Sequence, residues 1–260
     1  MSLWFIHKGK IFKIDVLPKY WVLGTFTAKV LSGLALYFLY VFYYGDRNTS
    51  DALRFFDDAK LLYGAPWNDY VRVLFGFSDY KDLPVVEAMN NWYRMHDHGT
   101  FNDNQTIIRM NALLMLVSGG VYHVHTVMFN LLSFIGLVWL YRGVSQVVSW
   151  SPKVLWLVVF FVPQLMVWGS GVLKEPRLLF GLGAFIYGLF SVVFMKKTAA
   201  FPVVLFLVGF TFLLMVKSYV LIAFIPAVIF LLLWRFAFRN HHLKWVIGYV
   251  VALGVLGILI

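Results

Sequence analysis

Four aspartates lie close together in the stretch that follows the first long apolar run, and they are the residues best suited to acid–base chemistry. They are Asp46, Asp51, Asp57 and Asp58, in a chain with only 12 acidic residues. A carboxylate within hydrogen-bond reach of a hydroxyl can accept its proton. The spacing predicts that Asp51, Phe55 and Asp58 share one face of a helix. We take Asp51, Asp46 and Asp58 as candidate catalytic carboxylates; a solvated loop is the alternative.

A second polar segment, Gly169–Arg177, joins two later apolar runs and is suited to binding an anion. Pro176 fits the start of a helix, and the free amides and the dipole at such a start favour a phosphate. Lys174 and Arg177 add positive charge, and Glu175 can orient Lys174 or contact a sugar hydroxyl. The alternative is a tight turn whose charged side chains reach to lipid headgroups.

Three more polar residues are expected on the same side of the membrane. Arg109 and Asn111 fall in a short run, Ile107–Gly119, and Lys217 lies at the boundary of a later apolar run, where it can also be a simple span marker. The candidate substrate-binding residues are therefore Lys174, Glu175, Arg177, Lys217, Arg109 and Asn111.

Histidines raise the question of a metal. His96 and His98 form an H-x-H pair, and His123 and His125 are expected on the same side. Zinc requires three or four converging ligands, and the two rings of such a pair on a helix point to different sides. A divalent metal stays an alternative, but we expect ordinary polar histidines and no cofactor.

The composition indicates what must hold these residues. The chain is 61% hydrophobic and only 13% charged, whereas soluble domains are about a quarter charged. It is therefore expected to be an integral membrane protein with one domain, 1–260, and membrane lipid as a partner. Basic loops facing anionic lipid explain the net charge of +10 better than nucleic acid does. With no cysteine, disulfide and thiolate chemistry are excluded.

The apolar runs predict the fold class. A crossing needs about 20 apolar residues, and about seven runs approach that length. The expected fold is all-α: a polytopic membrane helix bundle of about seven transmembrane helices, with a large outer loop carrying short interfacial helices. The runs are Trp21–Tyr44, Val121–Tyr141, Val154–Trp168, Leu178–Met195, Phe201–Val216, Tyr219–Phe236 and Trp245–Ile260.

The basic residues predict the orientation. Lysines place residues 1–20 in the cytoplasm. If Ile107–Gly119 does not cross, the later basic loops also lie inside, residues 45–120 form the outer loop, and 121–260 hold the remaining spans. We expect the inner (cytoplasmic) membrane of a bacterium. Lys29, inside the first span, is expected to snorkel to the inner interface; a buried functional lysine is the alternative.

Together these residues resemble the GT-C superfamily of membrane glycosyltransferases. The likeness extends loosely from Gly45 to about Ile260. It implies transfer of a sugar from a polyprenyl-phosphate carrier to an acceptor on the outer face, with Asp51, or else Asp46, as the general base. No outer accessory domain follows the spans, so a partner subunit and a short independent enzyme both stay open. The motifs are Asp51-Ala-Leu-Arg-Phe-Phe-Asp-Asp-Ala, Arg109-Met-Asn111-Ala112, and Pro163 followed by Trp168-Gly-Ser-Gly and Lys174-Glu175.

Other function classes remain open. A non-catalytic membrane subunit or scaffold of a larger complex would tolerate loss of Asp51. A lipid or solute transporter should carry charged or broken helices near the bilayer midplane, where the sequence offers Lys29, Pro163 and Pro226. An outward-facing acyl- or phosphotransferase is a lesser enzyme alternative.

Overall fold

A computed structural model describes residues 2–14, 16–45, 50–77, 80–93, 103–194 and 200–236. Over these ranges the chain forms helices and turns and no β-strand, which confirms the all-α class. The α-helices are α1 (Ser2–Lys8), α2 (Lys19–Phe38), α3 (Asp51–Tyr63), α4 (Trp67–Phe75), α5 (Pro84–Glu87), α6 (Asp103–Ser118), α7 (Tyr122–Val144), α8 (Pro152–Phe160), α9 (Pro163–Val167), α10 (Glu175–Val193) and α11 (Ala200–Phe236).

Four helices in the described part of the chain are long and apolar enough to cross a membrane. They are α2 with its π-helical extension to Tyr43, α7, α10, and α11 as far as Ile229, the last of which is interrupted at Lys217. The segment from α8 to Ser170 adds a fifth if this pair, bent by 65°, is one span. These helices support an integral membrane protein with four or five candidate spans. The predicted run Trp245–Ile260 lies outside the described residues.

Helix α11 is broken at Lys217, whose backbone (φ −152°, ψ 86°) is not helical. Phe206 and Phe224, on either side of the break, both contact Phe185 of α10, with ring centroids 5.1 and 6.3 Å away. In a straight helix two residues 18 positions apart are separated by about 27 Å, so the chain must turn back sharply at Lys217. The break coincides with the boundary that the sequence predicts between its fifth and sixth apolar runs.

Glycines allow α7, α10 and α11 to pack backbone to backbone. A Cβ atom added to Gly183 of α10 would lie 1.8 Å from the carbonyl oxygen of Gly136 in α7. One added to Gly209 of α11 would lie 2.3 Å from the backbone nitrogen of Phe185 in α10. Small residues favour such contacts in membranes, where van der Waals packing largely drives helix association. The close packing of α7 and α11 against α10 therefore sets the position of the first turn of α10.

Helices α3 to α6 form a cap that packs onto one end of the bundle. Its apolar core includes Phe55, Trp92 and Ile108, and it continues into Phe129 of α7 and Val172 before α10. Helix α6 has 16 residues, fewer than the roughly 20 that a crossing needs, and it is not a candidate span. The cap and the bundle thus share one core.

The N-terminal segment packs against the opposite end of the bundle. Ile6, Phe12 and Leu17 are buried in a core shared with Phe134 of α7, and the ring of Phe12 stacks on Phe134 with centroids 5.8 Å apart. The Arg142 guanidinium donates a hydrogen bond to the Lys13 carbonyl at 2.9 Å. The segment is therefore part of the folded domain.

Candidate functional site

The start of α3, the connection between α9 and α10, and the break in α11 meet where the cap rests on the bundle. Tyr40, in the π-helical extension of α2, packs on a small buried cluster that includes one residue next to Asp51 and one next to Lys174. The acidic helix and the second polar segment that the sequence singles out are thus neighbours. The cluster consists of Leu36, Ala52 and Leu173.

Asp51 is the first residue of α3 and is accessible. Its side chain is 52% exposed and forms an ion pair with Arg54, one turn later. An exposed pair of this kind contributes at most about 1 kcal/mol. The carboxylate can therefore leave Arg54 for a ligand at little cost.

Asp58 lies in different surroundings from Asp51, although the spacing predicts that they share a face. It is 3% exposed, and its carboxylate accepts a hydrogen bond from the backbone N–H of Asn91 at 2.8 Å. Burial raises the pKa of Asp58 above its ordinary value, and the Asn91 hydrogen bond opposes that rise. Beyond the first turn of α3, the predicted face points into the core of the cap. Asp58 therefore stabilises the loop around Asn91 through its hydrogen bond.

Lys174 connects the α9–α10 segment to the cap. Its ammonium donates a hydrogen bond to the Asn104 side-chain oxygen on α6 and lies 5.0 Å from the ring centroid of Phe55 on α3. The Asn104 amide nitrogen donates to the Asn91 carbonyl at 3.0 Å, which turns the amide oxygen toward Lys174. The sequence analysis missed Asn104, because a lone asparagine in an amphipathic run has no distinguishing pattern.

Glu175 and Lys217 form an ion pair between the start of α10 and the break in α11. Lys217 Nζ is 3.3 Å from Glu175 Oε1, and the two side chains are 24% and 34% exposed. Of the two roles expected for Glu175, orienting Lys174 or contacting a sugar hydroxyl, neither involves Lys217, with which the structure pairs it. A carboxylate in the first turn of α10 also complements the helix dipole.

Arg177 lies inside the protein. It is in the first turn of α10 and only 1% exposed, whereas Lys174 and Lys217 are partly exposed. A guanidinium stays charged at any physiological pH, so Arg177 adds positive charge behind these two lysines.

Arg109 holds parts of the cap together. Its Nε donates a hydrogen bond to the Val73 carbonyl at 2.9 Å, and its guanidinium lies 5.2 Å from the centroid of Trp92 and 5.4 Å from that of Tyr80. It follows Asn104 by five residues, which is about 140° around a helix. Arg109 therefore uses a different face of α6 from the one that contacts Lys174.

Asn111 belongs to a hydrogen-bonded chain that joins α6 to α7. Its Oδ1 is 2.7 Å from His125 Nδ1, and His125 Nε2 is 2.7 Å from Ser118 Oγ. Because the Asn111 amide nitrogen donates to the Ile107 carbonyl, Oδ1 accepts from Nδ1–H and Nε2 accepts from the Ser118 hydroxyl. A hydroxyl, an imidazole and an orienting group also make up an activated nucleophile, but this imidazole is fully buried. The chain is best explained as a link between the two helices.

A cavity of about 340 Å³ adjoins Glu175, between α9 and α10. Gln164 and Glu175 are the polar side chains in its wall, and most of the remaining wall is apolar. Few polar groups in an apolar wall are typical of sites for small molecules and cofactors. The apolar side chains are Leu165, Trp168, Leu178 and Leu179.

Lys29 is fully buried in α2, so the expectation that it snorkels to the interface is wrong. Its ammonium lies 3.1 Å from the Gly169 carbonyl, 3.1 Å from Ser170 Oγ and 3.4 Å from the Leu165 carbonyl. The end of a short helix leaves carbonyls without helical partners, and such groups need partners inside a membrane. Pro163 and the glycines at 169 and 171 are the sequence signal that could have indicated this helix end.

Two side chains of α7 hold the same broken span from the other side. Asn130 donates to the Ser170 carbonyl at 2.7 Å, and Ser133 donates to the Gly169 carbonyl at 2.8 Å. Because Lys29 of α2 and Ser133 of α7 both bind the Gly169 carbonyl, the turn that precedes Lys174 and Glu175 is fixed in the bundle.

Some predicted residues fall outside the described ranges, namely Asp46, His96 and His98. Among the residues that are described, no three His, Cys, Asp or Glu side chains come together in a group that could hold a metal ion. Comparison of the chain with known protein families, curated proteins and solved structures found no match. The likeness to the GT-C superfamily therefore rests on the chain's own residues.

Proposed function

We propose that the chain is a membrane glycosyltransferase that moves a sugar from a polyprenyl-phosphate carrier to an acceptor hydroxyl. The proposal rests on one observation: Ala52, which follows Asp51, and Leu173, which precedes Lys174, are buried in one small cluster. The proposal therefore assigns the accessible carboxylate and the cationic helix start to one site.

In this proposal the donor phosphate binds at the start of α10. Lys174 and Lys217 supply positive charge at the surface, and Arg177 supplies it from within. The phosphate competes with Glu175 for Lys217, whose ion pair is partly exposed and therefore weak. These groups stabilise the negative charge that develops on the phosphate as it leaves.

Asp51 acts as the general base, with Asp46 as the alternative. The acceptor oxygen forms a bond to the anomeric carbon, and its proton passes to the carboxylate. The bond between that carbon and the phosphate oxygen breaks, and its electron pair stays on the phosphate. Asp51 suits this role because it is exposed and only weakly paired. Asp58, Arg109 and Asn111 act as positioning residues, since their contacts lie within the cap or between α6 and α7.

The apolar part of the donor is assigned to the cavity beside Glu175. A polyprenyl chain is purely apolar, and the wall offers Trp168, Leu178 and Leu179. A carrier bound here has its first isoprene units against α9 and its phosphate next to Lys217. The residues that fix the broken span, above all Lys29, then also fix the shape of the donor site.

We further propose that the cap faces the outer side of a bacterial inner membrane, on a bundle of about seven spans. The end of the bundle opposite the cap carries Lys8, Lys13, Lys19 and Arg142, and basic residues accumulate on the cytoplasmic side of membrane proteins. In this proposal a partner subunit supplies the acceptor recognition.

The test is sugar transfer by the purified full-length chain, with a radiolabelled polyprenyl-phosphate sugar as donor and a set of lipid and glycan acceptors. Asp51→Asn is expected to lower the rate by about 100-fold or more, the range for loss of a general base. Asp57→Asn, on the same helix, is the matched control and should keep the wild-type rate. Equal rates for both variants would rule out the general-base role. Donor binding that survives both Lys174→Ala and Lys217→Ala would rule out the phosphate site.

A lipid or solute transporter is the second candidate, and the buried Lys29 at the broken span favours it. Charged groups at broken helices inside the bilayer are typical of transporters. In proteoliposomes, a transporter would move fluorescent polyprenyl phosphate between leaflets. Asp51→Asn would leave that movement unchanged, whereas the same variant is expected to lower sugar transfer by a transferase.

A further inference from the structure

We propose that the end of the bundle opposite the cap binds an anionic phospholipid, in a cavity between the N-terminal segment and α2. The cavity has a volume of about 340 Å³. Three lysines contribute to its wall, and its floor is apolar. The lysines are Lys8, Lys13 and Lys19, and the floor includes Ile6, Phe12 and Val22.

The charge in this cavity favours an anion. Its wall includes three lysines and His7 but no carboxylate among the described residues. Like charges held in one cavity repel each other, and a bound phosphate removes that repulsion. Lysines that only set topology need to lie on the correct side of the membrane, whereas these three converge on one space.

The floor distinguishes a lipid from a soluble anion. Ile6, Phe12 and Val22 are each 3% exposed and belong to the bundle core. A cavity with a cationic rim and an apolar lining matches a phospholipid, whose phosphate meets the lysines while an acyl chain contacts the partly exposed Leu23. Inorganic phosphate would use the rim alone.

The N-terminal segment presents these lysines from a folded backbone. The stacking of Phe12 on Phe134 and the hydrogen bond from Arg142 to the Lys13 carbonyl hold it to α7. A site whose backbone is already ordered loses less entropy when its ligand binds. Binding therefore does not require the segment to fold first.

The surroundings are those of a membrane interface. Lys8 Nζ lies 5.2 Å from the ring centroid of Trp4, and Lys153 Nζ lies 6.0 Å from that of Trp21. Tryptophan is enriched at the level of the lipid headgroups, and basic pockets between membrane helices bind acidic headgroups. The cavity is thus placed at the depth where a headgroup phosphate is available.

Lys13 has a central place at this end of the bundle. It also lines a second cavity, of about 420 Å³, on the side of α7 and α8. Arg142 and Trp150 line that second cavity too. A headgroup bound at Lys13 lies between two cavities with basic and aromatic walls, so Lys13 is the residue to change first.

The experiment measures thermal unfolding and native mass spectra of the delipidated full-length chain in a neutral detergent. Phosphatidylglycerol, phosphatidylcholine and soluble glycerol 3-phosphate are added separately. Phosphatidylglycerol is expected to be retained and to raise the unfolding temperature, while the other two have little effect. The double variant Lys13→Gln/Lys19→Gln should bind phosphatidylglycerol at least fivefold more weakly.

The matched control is Lys60→Gln/Lys81→Gln, which removes the same charge from exposed positions of the cap. Equal weakening in the control, or equal retention of both phospholipids, would overturn the proposal. An equal response to glycerol 3-phosphate would replace the lipid by a soluble anion. If the double variant does not fold, Lys8→Gln, at an exposed position of α1, serves instead, with weaker retention expected and unchanged retention contradicting the proposal. None of these outcomes depends on sugar transfer, so the experiment tests the lipid site independently of the proposed transferase activity.

Discussion

The Lys29 ammonium donates a hydrogen bond to the Gly169 carbonyl, 3.1 Å away, at the end of the broken span formed by α8 and α9. Both groups lie inside the bundle, where water does not compete for them. The lysine belongs to the first candidate span and the carbonyl comes 140 residues later. One buried hydrogen bond thus links the N-terminal half of the chain to the turn that carries Lys174 and Glu175.

Lys29→Met is expected to destabilise the protein strongly. It keeps the apolar stem but removes the ammonium from the Gly169 and Leu165 carbonyls. The Gly169 carbonyl keeps its hydrogen bond from Ser133, and an unsatisfied buried group such as the Leu165 carbonyl costs about 1–3 kcal/mol. We expect an unfolding temperature lower by several degrees in detergent. Leu31→Met, on the exposed face of the same helix, is the control and should unfold like the wild type. An unchanged unfolding temperature for Lys29→Met would show that the carbonyls do not depend on the lysine.

The helical segments could largely be predicted from the sequence, because the length of an apolar run and the residues that end a helix are local signals. The spacing of Asp51, Phe55 and Asp58 predicts a helix, and the structure has one over Asp51–Tyr63, ending before Gly64. The break in α11 at Lys217 also falls where a polar residue separates two apolar runs. These features depend on residues within a few positions of each other.

The partners of buried polar groups could not be predicted in this way. Snorkelling is the default for a lysine in a single apolar helix, and only the neighbouring broken span makes burial of Lys29 favourable. Likewise, Glu175 pairs with Lys217, 42 residues away, because α11 turns back beside the start of α10. The site therefore depends on tertiary packing that no local pattern records.

Removing the charge of Asp58 is expected to change how stability depends on pH. Burial raises its pKa above the ordinary 3.8, so the native state holds the proton more tightly than the unfolded chain. Its contribution is thus fully present below about pH 3.8 and is lost as pH rises through the raised value. The asparagine of Asp58→Asn still has an oxygen that accepts the hydrogen bond from the Asn91 N–H, but its side chain cannot ionise.

The measurement is the difference in unfolding free energy between Asp58→Asn and the wild type, determined by denaturant titration at several pH values from about 3.5 to 7. The difference should move in favour of the asparagine variant as pH rises. Asp69→Asn is the control for general charge effects and should show no such trend. A difference that is constant with pH would contradict a raised pKa.

Replacing Glu175 and replacing Lys217 are expected to have opposite effects on donor binding. If the donor phosphate competes with Glu175 for Lys217, then Glu175→Gln should tighten donor binding, while Lys217→Gln should weaken it. A partly exposed pair is worth about 1 kcal/mol at most, so we expect changes of up to about fivefold. The measurement is the KM for the polyprenyl-phosphate sugar, or retention of polyprenyl phosphate by the purified chain. Weaker binding in both variants would mean that the ion pair itself, and not the free lysine, supports the site.

The close approach of α7 and α10 is expected to position the start of α10. A Cβ atom at Gly183 would lie 1.8 Å from the Gly136 carbonyl oxygen, so Gly183→Ala must push these helices apart. We expect a loss of stability of about 1–3 kcal/mol from this overpacking, together with weaker donor binding as Glu175 and Lys174 shift.

The matched control is Gly24→Ala in α2, where an added Cβ atom meets nothing within 4 Å. That change should be neutral or should stabilise the helix by up to about 1 kcal/mol, since alanine is the better helix former. Thermal unfolding and donor retention are measured on both variants. If Gly183→Ala binds the donor as tightly as Gly24→Ala does, the first turn of α10 does not take its position from α7, and the phosphate site must be held by the cap through Asn104 and Phe55 instead.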